Sequence, residues 1–153
     1  MAKAAVHSAG GVVVRKGARP AIAVVRRSKD GRWVLPRGKL KRKERPVVGA
    51  RREAVEETGH KVSVHDYIGV IVYPSQGRSK LVQFWHMRAA RNPSRDLMPD
   101  IAAVAWLPLP RAIKRLSSPV EKLFLQSVGR ELLPKRKPPK KKRKRSKKAR
   151  KRR

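Results

Sequence analysis

Residues 38–59 read GKLKRKERPVVGARREAVEETG, and this stretch decides the fold and the chemistry of the chain. Residues 46–59 begin and end with residues typical of helix ends. Pro46 suits the first turn of a helix, and Gly59 suits the position after its last residue. Apolar residues recur between them at a spacing of three to four, at Val47, Ala50, Ala54 and Val55. We therefore predict a helix over residues 46–58 and a loop over residues 36–44.

Four of the six glutamates in the chain lie within fourteen residues, at Glu44, Glu53, Glu56 and Glu57. On a helix, the last three project from one side, because their spacings are i,i+3 and i,i+4. Crowded carboxylates repel one another unless a cation lies among them, and Mg²⁺ binds oxygen ligands of this kind while keeping waters and sharing substrate phosphates. Arg52 stands where it can orient a carboxylate and lower its pKa. The alternative is a solvated helix face on which these glutamates pair with arginines.

The segments around this stretch predict a mixed sheet covered on two faces. Apolar and β-branched runs predict strands at residues 4–14, 20–27, 61–73, 80–89 and 101–107, with a short apolar piece at residues 33–35. Residues 74–79 are rich in turn formers. A closing amphipathic helix is predicted over residues 119–133, with one side formed by Val120, Leu123, Phe124, Ser127 and Val128. The fold class is therefore α/β.

Gly38, Glu44, Arg52, Glu53, Glu56, Glu57 and Gly59 together resemble the sequence box of the Nudix hydrolases. Seven specified identities coincide by chance with a probability on the order of 10⁻⁸ per start site. The resemblance extends to residues 8–13, 33–38 and 104–108, and so covers residues 4–133. It is strongest to the Nudix domain of mycobacterial MutT-like nucleotide pyrophosphohydrolases. The resemblance implies an α/β/α sandwich around a mixed β-sheet.

The same resemblance assigns roles to residues. It implies that Glu53, Glu56 and Glu57, with the carbonyl of Gly38, ligate Mg²⁺ or Mn²⁺. It implies that Arg52 and Glu44 brace the loop and orient the ligands, and that Glu53 activates water, although some members supply this base from elsewhere. The implied reaction is metal-dependent hydrolysis of a phosphoanhydride bond in a nucleoside diphosphate-linked or polyphosphate substrate. Oxidised purine nucleotides (8-oxo-purines) and dinucleoside polyphosphates are the favoured substrates.

Substrate contacts are expected from basic residues near Gly38. Arg37 and Lys39 flank it, and Arg26 and Arg27 are further candidates for a collar around a polyphosphate; the alternative is generic positive surface. Tyr73 precedes Pro74 at a predicted strand end, where a nucleobase fits, although aromatic residues are more often part of the core.

Two positions depart from the family pattern. His60 follows Gly59 where an apolar residue is usual, and Lys43 precedes Glu44 where glycine is frequent. A lysine forced to positive φ carries strain, so we expect the loop before the helix to follow a different path.

Charge is distributed unevenly along the 153 residues. The formal net charge is +32, of which fifteen positive charges lie in residues 135–153, which leaves +17 on residues 1–134. We predict a folded domain at residues 4–133 and a disordered basic tail at residues 134–153. Such a tail predicts sequence-independent, salt-sensitive binding of RNA or DNA. The basic tail also supports an alternative hypothesis, in which the chain is a nucleic-acid-associated protein. An intermediate hypothesis combines this with hydrolysis, as an enzyme that removes pyrophosphate from RNA 5′ ends. Binding of inorganic polyphosphate and a purely solubilising tail are further alternatives.

The absence of cysteine excludes disulfide scaffolds, thiolate zinc sites and cysteine nucleophiles. No stretch approaches the ~18 apolar residues of a membrane span, and no leader is recognisable, so we expect a cytoplasmic protein without membrane contact. The oligomeric state is left open.

Overall fold

The computed structural model describes residues 3–134. Within that range the chain forms seven strands and three helices: β1 (Val6–Arg15), β2 (Ala21–Arg27), β3 (Trp33–Val34), β4 (Arg37–Lys39), α1 (Pro46–Thr58), β5 (Val62–Ser75), β6 (Arg78–Ala89), β7 (Ile101–Leu107), α2 (Leu109–Arg115) and α3 (Pro119–Leu132). The predicted tail lies, from residue 135 onward, outside the described residues.

The seven strands form one mixed sheet. Its main path is β3-β2-β1-β6-β5, while β4 pairs with β1 and β7 pairs with β2. β1 and β6 run parallel over ten residue pairs, from Val6 opposite Lys80 to Arg15 opposite Ala89. All other pairings among residues 3–134 are antiparallel. The predicted mixed sheet is confirmed.

Helices cover both faces of the sheet. Side chains alternate along β1, so that Val12 and Val14 face one layer while Ala9 and Val13 face the other. The first layer holds α2 and α3, through residues such as Leu125, and the second holds α1. The predicted α/β/α sandwich is therefore confirmed. None of the helices in residues 3–134 has the length and apolar character that a bilayer crossing requires.

The predicted loop at residues 36–44 contains a strand, β4, which is a correction. Ala9 lies opposite Gly38, and Gly10 lies opposite Arg37. The strand has only three residues and is held by the backbone of β1, so its own side chains show no periodicity. Close approach requires glycine, since a Cβ on Gly10 would overlap the carbonyl oxygen of Pro36.

The turn predicted at residues 74–79 is shorter than expected. Pro74 and Ser75 already pair with Ser79 and Arg78, which leaves the hairpin turn to Gln76 and Gly77. Both of these residues have positive φ, 52° and 74°. This is the geometry that a two-residue hairpin between right-twisted strands favours.

The prediction missed α2, and the apolar side that it named for α3 is only partly the buried one, since Phe124 packs against the core while Val120 and Leu123 are exposed. α2 begins beside Pro108 and Pro110, which are typical of a loop but are tolerated in the first turn of a helix. In α3, Leu123 is 68% exposed, whereas the buried stripe is Glu121, Leu125 and Gly129. A glutamate in that stripe was not expected, and it is buried because it pairs with an arginine.

Candidate active site

Helix α1 holds the acidic residues over one face of the sheet. Ala50 and Ala54 are fully buried and pack with Ala9 and Val13 of β1, and these small side chains let the helix lie close to the strands. The helix ends at Gly59, whose φ of 73° is left-handed and whose N–H donates to the carbonyl of Val55 at 2.9 Å. The predicted helix and its terminator are confirmed.

Arg52 binds three of the four clustered glutamates. Its guanidinium donates two 2.8 Å hydrogen bonds to Glu44, one of 2.8 Å to Glu53 and one of 3.3 Å to Glu56. The guanidinium also donates to the carbonyl of Lys39, across the loop, at 3.3 Å. Hydrogen bonding to Arg52 lowers the pKa of Glu44 to about 2, so Glu44 stays ionised. Arg52 and Glu44 thus join the loop to the helix.

Glu53 and Glu57 lie together at the wall of a cleft of about 570 Å³, which we call the site cleft. Its lining includes Gly38, Glu53, Glu57, Arg27, Lys80 and Asp100. Glu57 is 5% exposed and accepts the N–H of Arg37 at 3.1 Å. Burial, and secondarily the charge of Glu53, raise the pKa of Glu57 to about 8; burial also raises the pKa of Glu53.

Gly38 touches the Glu53 carboxyl group. A Cβ at this position would overlap the carboxyl carbon of Glu53, so only glycine allows that side chain to reach β4. Glu53, Glu57 and Gly38, predicted together from the sequence, are therefore neighbours. Glu56 does not line the site cleft and instead lies against Arg52.

The donor set fits a hard divalent cation. Two carboxylates in a poorly hydrated position, one with a strongly raised pKa, are stabilised in their ionised form by a positive ion. No group of three His, Asp or Glu side chains within residues 3–134 converges into a formed metal cage. Protein ligands from Glu53 and Glu57 with remaining waters match the way Mg²⁺ is usually held.

Glu121 is a site residue that the sequence analysis missed. It is 1% exposed, accepts the Nε–H of Arg37 at 3.0 Å and accepts the N–H of Leu35 at 3.2 Å. Burial raises the pKa of Glu121, and Arg37 opposes that shift. The one available signal was that Glu121 is one of two glutamates outside the 44–57 cluster.

A second concavity of about 730 Å³, the basic groove, continues from the site cleft. It shares Arg27, Lys29, Arg37, Lys39 and Lys80 with the site cleft, and it reaches Tyr73 and Arg78 near the β5–β6 turn. The predicted contact residues Arg37, Lys39 and Tyr73 all line it. Arg26, a further predicted candidate, lines neither concavity. Lys80 and Asp100 were not predicted.

Both departures from the family pattern have a structural outcome. Lys43 adopts a φ of 60°, the conformation that a different loop path was expected to avoid, so that reason for a different path is wrong and the turn accepts a lysine. The Glu44 N–H donates to the carbonyl of Lys41 at 3.0 Å, and Lys41 donates back to the Glu44 carboxylate at 3.1 Å. His60 is 5% exposed, donates its Nδ1–H to the carbonyl of Ala90 at 2.8 Å, and packs against Trp106 as a core residue.

Comparison with known proteins agrees with this geometry. A family model described as NUDIX domain matches residues 6–127. The chain is 34% identical over 107 residues to the 8-oxo-(d)GTP phosphatase of Mycolicibacterium smegmatis, covering 69% of this chain and 32% of that protein. It is 36% identical over 100 residues to a MutT-like protein of Streptomyces ambofaciens, covering 65% of this chain and 62% of that protein. The chain therefore spans less than two thirds of the length of these curated relatives.

The fold also resembles solved structures. A crystal structure of a C. elegans Ap4A hydrolase binary complex superposes with a TM-score of 0.75 at 23% identity, covering 83% of this chain and 97% of that chain. At this identity the likeness concerns the fold.

Proposed function

The chain belongs to the Nudix family, and from this premise we propose that it is a divalent-metal-dependent hydrolase of phosphoanhydride bonds in nucleotide substrates. The observation that carries the proposal is the pairing of Glu53 and Glu57 at the wall of a cleft that is otherwise lined largely by cationic side chains. The carboxylates suit a metal and an attacking water, and the cations that line the same cleft suit phosphates. We place this activity in the cytoplasm.

In the proposed mechanism Glu53, Glu57 and Glu56 would hold Mg²⁺ or Mn²⁺. The bound ion would neutralise phosphate charge and lower the pKa of a coordinated water. Glu53 accepts the proton of the attacking water, whose oxygen bonds to phosphorus as the P–O–P bond breaks and the leaving phosphate departs. Arg37 and Lys39 bind phosphate oxygens. Arg52 and Glu44 keep the carboxylates in position.

Two substrate classes are supported. An 8-oxo-purine nucleotide is supported by the name of the mycobacterial relative, whose matched segment covers 69% of this chain. A dinucleoside polyphosphate is supported by the sequence resemblance described above, and a protein of the same fold carries the name Ap4A hydrolase.

Replacing Glu53 or Glu57 by Gln tests the proposal. Each change removes a negative charge while keeping the shape of the side chain, so we expect turnover to fall by about 10²–10⁴-fold. Glu131→Gln, which neutralises an exposed carboxylate in α3, is the matched control and should leave the rate unchanged. The measurement is phosphate and pyrophosphate release from a panel of nucleotides with Mg²⁺, beside circular dichroism of each variant. Wild-type rates in both glutamine variants would show that the site assignment is wrong.

A second candidate function rests on the fifteen basic residues among the last nineteen. In this alternative the chain is associated with nucleic acid, and the domain acts on RNA 5′ ends or only binds a nucleotide. The cations would neutralise phosphates without reading sequence.

A further inference from the structure

The basic groove supports an inference that rests on the proposed function and names how the substrate is chosen. We propose that this protein selects its substrate by a dense array of phosphates that extends beyond the cleaved bond into the basic groove, with little discrimination of the base. The ligand chemistry is a polyphosphate carrying more phosphates than the hydrolysis site itself accommodates. It can be a linear chain or a ring that bears several phosphates.

Charge in the groove is strongly one-sided. Eight cationic side chains line it against one carboxylate, Asp30, among the described residues. Five of the eight also line the site cleft, so a continuous positive wall joins the proposed hydrolysis site to the groove. Two of the five are paired with carboxylates, so with about one negative charge per phosphate in a chain the wall matches on the order of three to five phosphates.

Three of the five shared cations are not neutralised by the protein. Within residues 3–134, Lys29, Lys39 and Lys80 make no ion pair, whereas Arg37 pairs with Glu121 and Arg27 lies 3.9 Å from Asp30. Lys80 is partly buried, and burial, followed by the charges of Arg37 and Arg27, lowers its pKa to about 8. Partly buried like charges destabilise each other unless an anion lies among them. A polyanion supplies that counter-charge.

Aromatic surface for a base is scarce in the same region. Tyr73 is the only aromatic side chain that lines either concavity within residues 3–134. The Arg37 guanidinium carbon lies 5.9 Å from the centroid of the Tyr73 ring, so one face of that ring is already engaged. Stacking is the usual sequence-tolerant way to hold a base. The groove therefore has many cationic side chains that can bind phosphates and little aromatic surface on which a purine can stack.

Residues that line only one of the two concavities give the arrangement a direction. Glu53 and Glu57 line only the site cleft, Lys80 lines both concavities, and Gln76 and Arg78 at the β5–β6 turn line only the basic groove. Phosphates beyond the cleaved bond thus extend from the carboxylates along Lys80 towards that turn.

The first experiment measures binding without turnover. Amide spectra of the ¹⁵N-labelled full chain, without metal, are titrated with pyrophosphate, tripolyphosphate, tetrapolyphosphate and inositol hexakisphosphate. We expect shifts at Gly38 and Lys80, and a Kd for tetrapolyphosphate at least about tenfold below that for pyrophosphate, because each added phosphate gains a charge-assisted contact. Tighter binding of inositol hexakisphosphate than of tetrapolyphosphate would identify the ring as the preferred source; the reverse would identify the linear chain.

Matched variants separate the effect of the groove from that of residues 135–153, whose fifteen positive charges also attract polyanions. Lys80→Gln should remove most of the gain from pyrophosphate to tetrapolyphosphate. Lys61→Gln removes the same charge at the opposite end of β5, and Lys61 lines neither concavity, so the gain should persist. Equal Kd values for all linear phosphates, shifts confined to residues 135–153, or equal behaviour of the two variants would overturn the inference.

The second experiment uses hydrolysis. We expect kcat/KM to be at least about tenfold higher for dinucleoside tetraphosphates than for nucleoside triphosphates. Within either series, we expect kcat/KM to differ less than about threefold between adenine, guanine and 8-oxo-guanine. A larger effect of the base than of phosphate number would overturn the inference while leaving the hydrolase function intact. If no nucleotide is hydrolysed, the proposed function fails, and the binding titration then decides the inference independently.

Discussion

Arg37 connects two carboxylates that lie far apart in the sequence. Its backbone N–H donates to Glu57 on α1, while its side-chain Nε donates to Glu121 on α3. The guanidinium is only 10% exposed, so its direction is fixed by Glu121 and by the ring of Tyr73. We infer that Glu121 is a positioning residue that aims Arg37 at the cleft without touching the substrate itself.

Glu121→Gln tests this role. If the amide oxygen keeps the bond from Leu35, its NH2 group faces Arg37, so both the charge and the acceptor opposite Arg37 are lost, and a buried polar group left unpaired costs about 1–3 kcal/mol. We expect the melting temperature to fall and KM for phosphorylated substrates to rise about tenfold, with a smaller change in kcat. Steady-state kinetics and thermal melts measure both. A lower melting temperature with an unchanged KM would reduce Glu121 to a purely structural role.

Glu57 links metal affinity to pH. Its pKa in the metal-free fold is raised from 4.5 to about 8, so the fold prefers the protonated carboxyl. The stability from this group is present below about pH 4.5 and is lost as pH rises through about 8. A metal ion binds the ionised form and offsets that loss. We therefore expect millimolar Mg²⁺ to raise the melting temperature more at pH 8 than at pH 5.5.

Glu57→Gln is the control for this pH dependence. In metal-free buffer the variant should lose the decline in stability between pH 5.5 and 8, because its amide does not titrate. Differential scanning calorimetry at both pH values, with and without Mg²⁺, makes the comparison. An equal rise at both pH values in the wild-type protein would contradict the assignment of Glu57 to the metal.

The sequence predicted some residues of this site and not others. Glu53, Glu57 and Gly38 were found because one helix and the short strand before it hold them at fixed spacing. Glu121 and Lys80 come from α3 and β6, and only tertiary packing brings them beside Arg37. Their local sequence is that of an ordinary helix start and strand start, so no local pattern marks them.

Among the elements, the contact between β4 and α1 is the most sensitive to a single methyl group. Gly38→Ala would place its Cβ on the Glu53 carboxyl group, so Glu53 has to move. A displacement of about 1 Å in a reacting group costs on the order of 10²-fold in rate, and we expect kcat to fall by that factor with the fold retained.

Gly17→Ala is the matched control for Gly38→Ala. A Cβ at Gly17 meets only ordinary contact, with the carbonyl of Arg19 at 3.7 Å, so activity should be unchanged. Turnover and circular dichroism of the two variants give the comparison. Equal turnover rates in Gly38→Ala and Gly17→Ala would show that activity does not depend on the contact of Glu53 with β4.

Long periodic elements were predictable, and short supported ones were not. The helix at 46–58 and the strand at 101–107 match their predicted bounds because their own side chains carry the pattern. β4 is three residues long and α2 seven, and both are held in place by their neighbours. The buried stripe of α3 was not found because it contains Glu121 and Gly129, which a pattern of apolar residues does not register.

For the whole molecule, the distribution of charge separates the two candidate functions. The last nineteen residues carry fifteen of the positive charges, and the domain keeps a net +17 together with the candidate site. If the site alone is responsible for activity on small substrates, removing residues 135–153 should leave their hydrolysis nearly unchanged. RNA affinity should fall strongly, and its dependence on salt should become less steep.

Kinetics with RNA test the hypothesis that the chain removes pyrophosphate from RNA 5′ ends. If it does, truncation after Pro134 should raise KM for 5′-triphosphorylated RNA and leave KM for free nucleotides unchanged. Filter binding and pyrophosphate release measure the two effects. Loss of nucleotide hydrolysis on truncation would contradict a site confined to the described residues.

The parallel partnership of β1 and β6 has a consequence during protein synthesis. β1 is the first strand to leave the ribosome, yet one of its sides stays unpaired until β6, ending at Ala89, has followed it. An unpaired strand edge in an incomplete nascent chain can form non-native β-pairing with another strand. The native β1–β6 pairing joins distant segments and therefore forms slowly. We expect ribosome-bound chains that stop before β6 to be degraded readily by protease and to recruit holdase chaperones, and chains that extend beyond α3 to resist both.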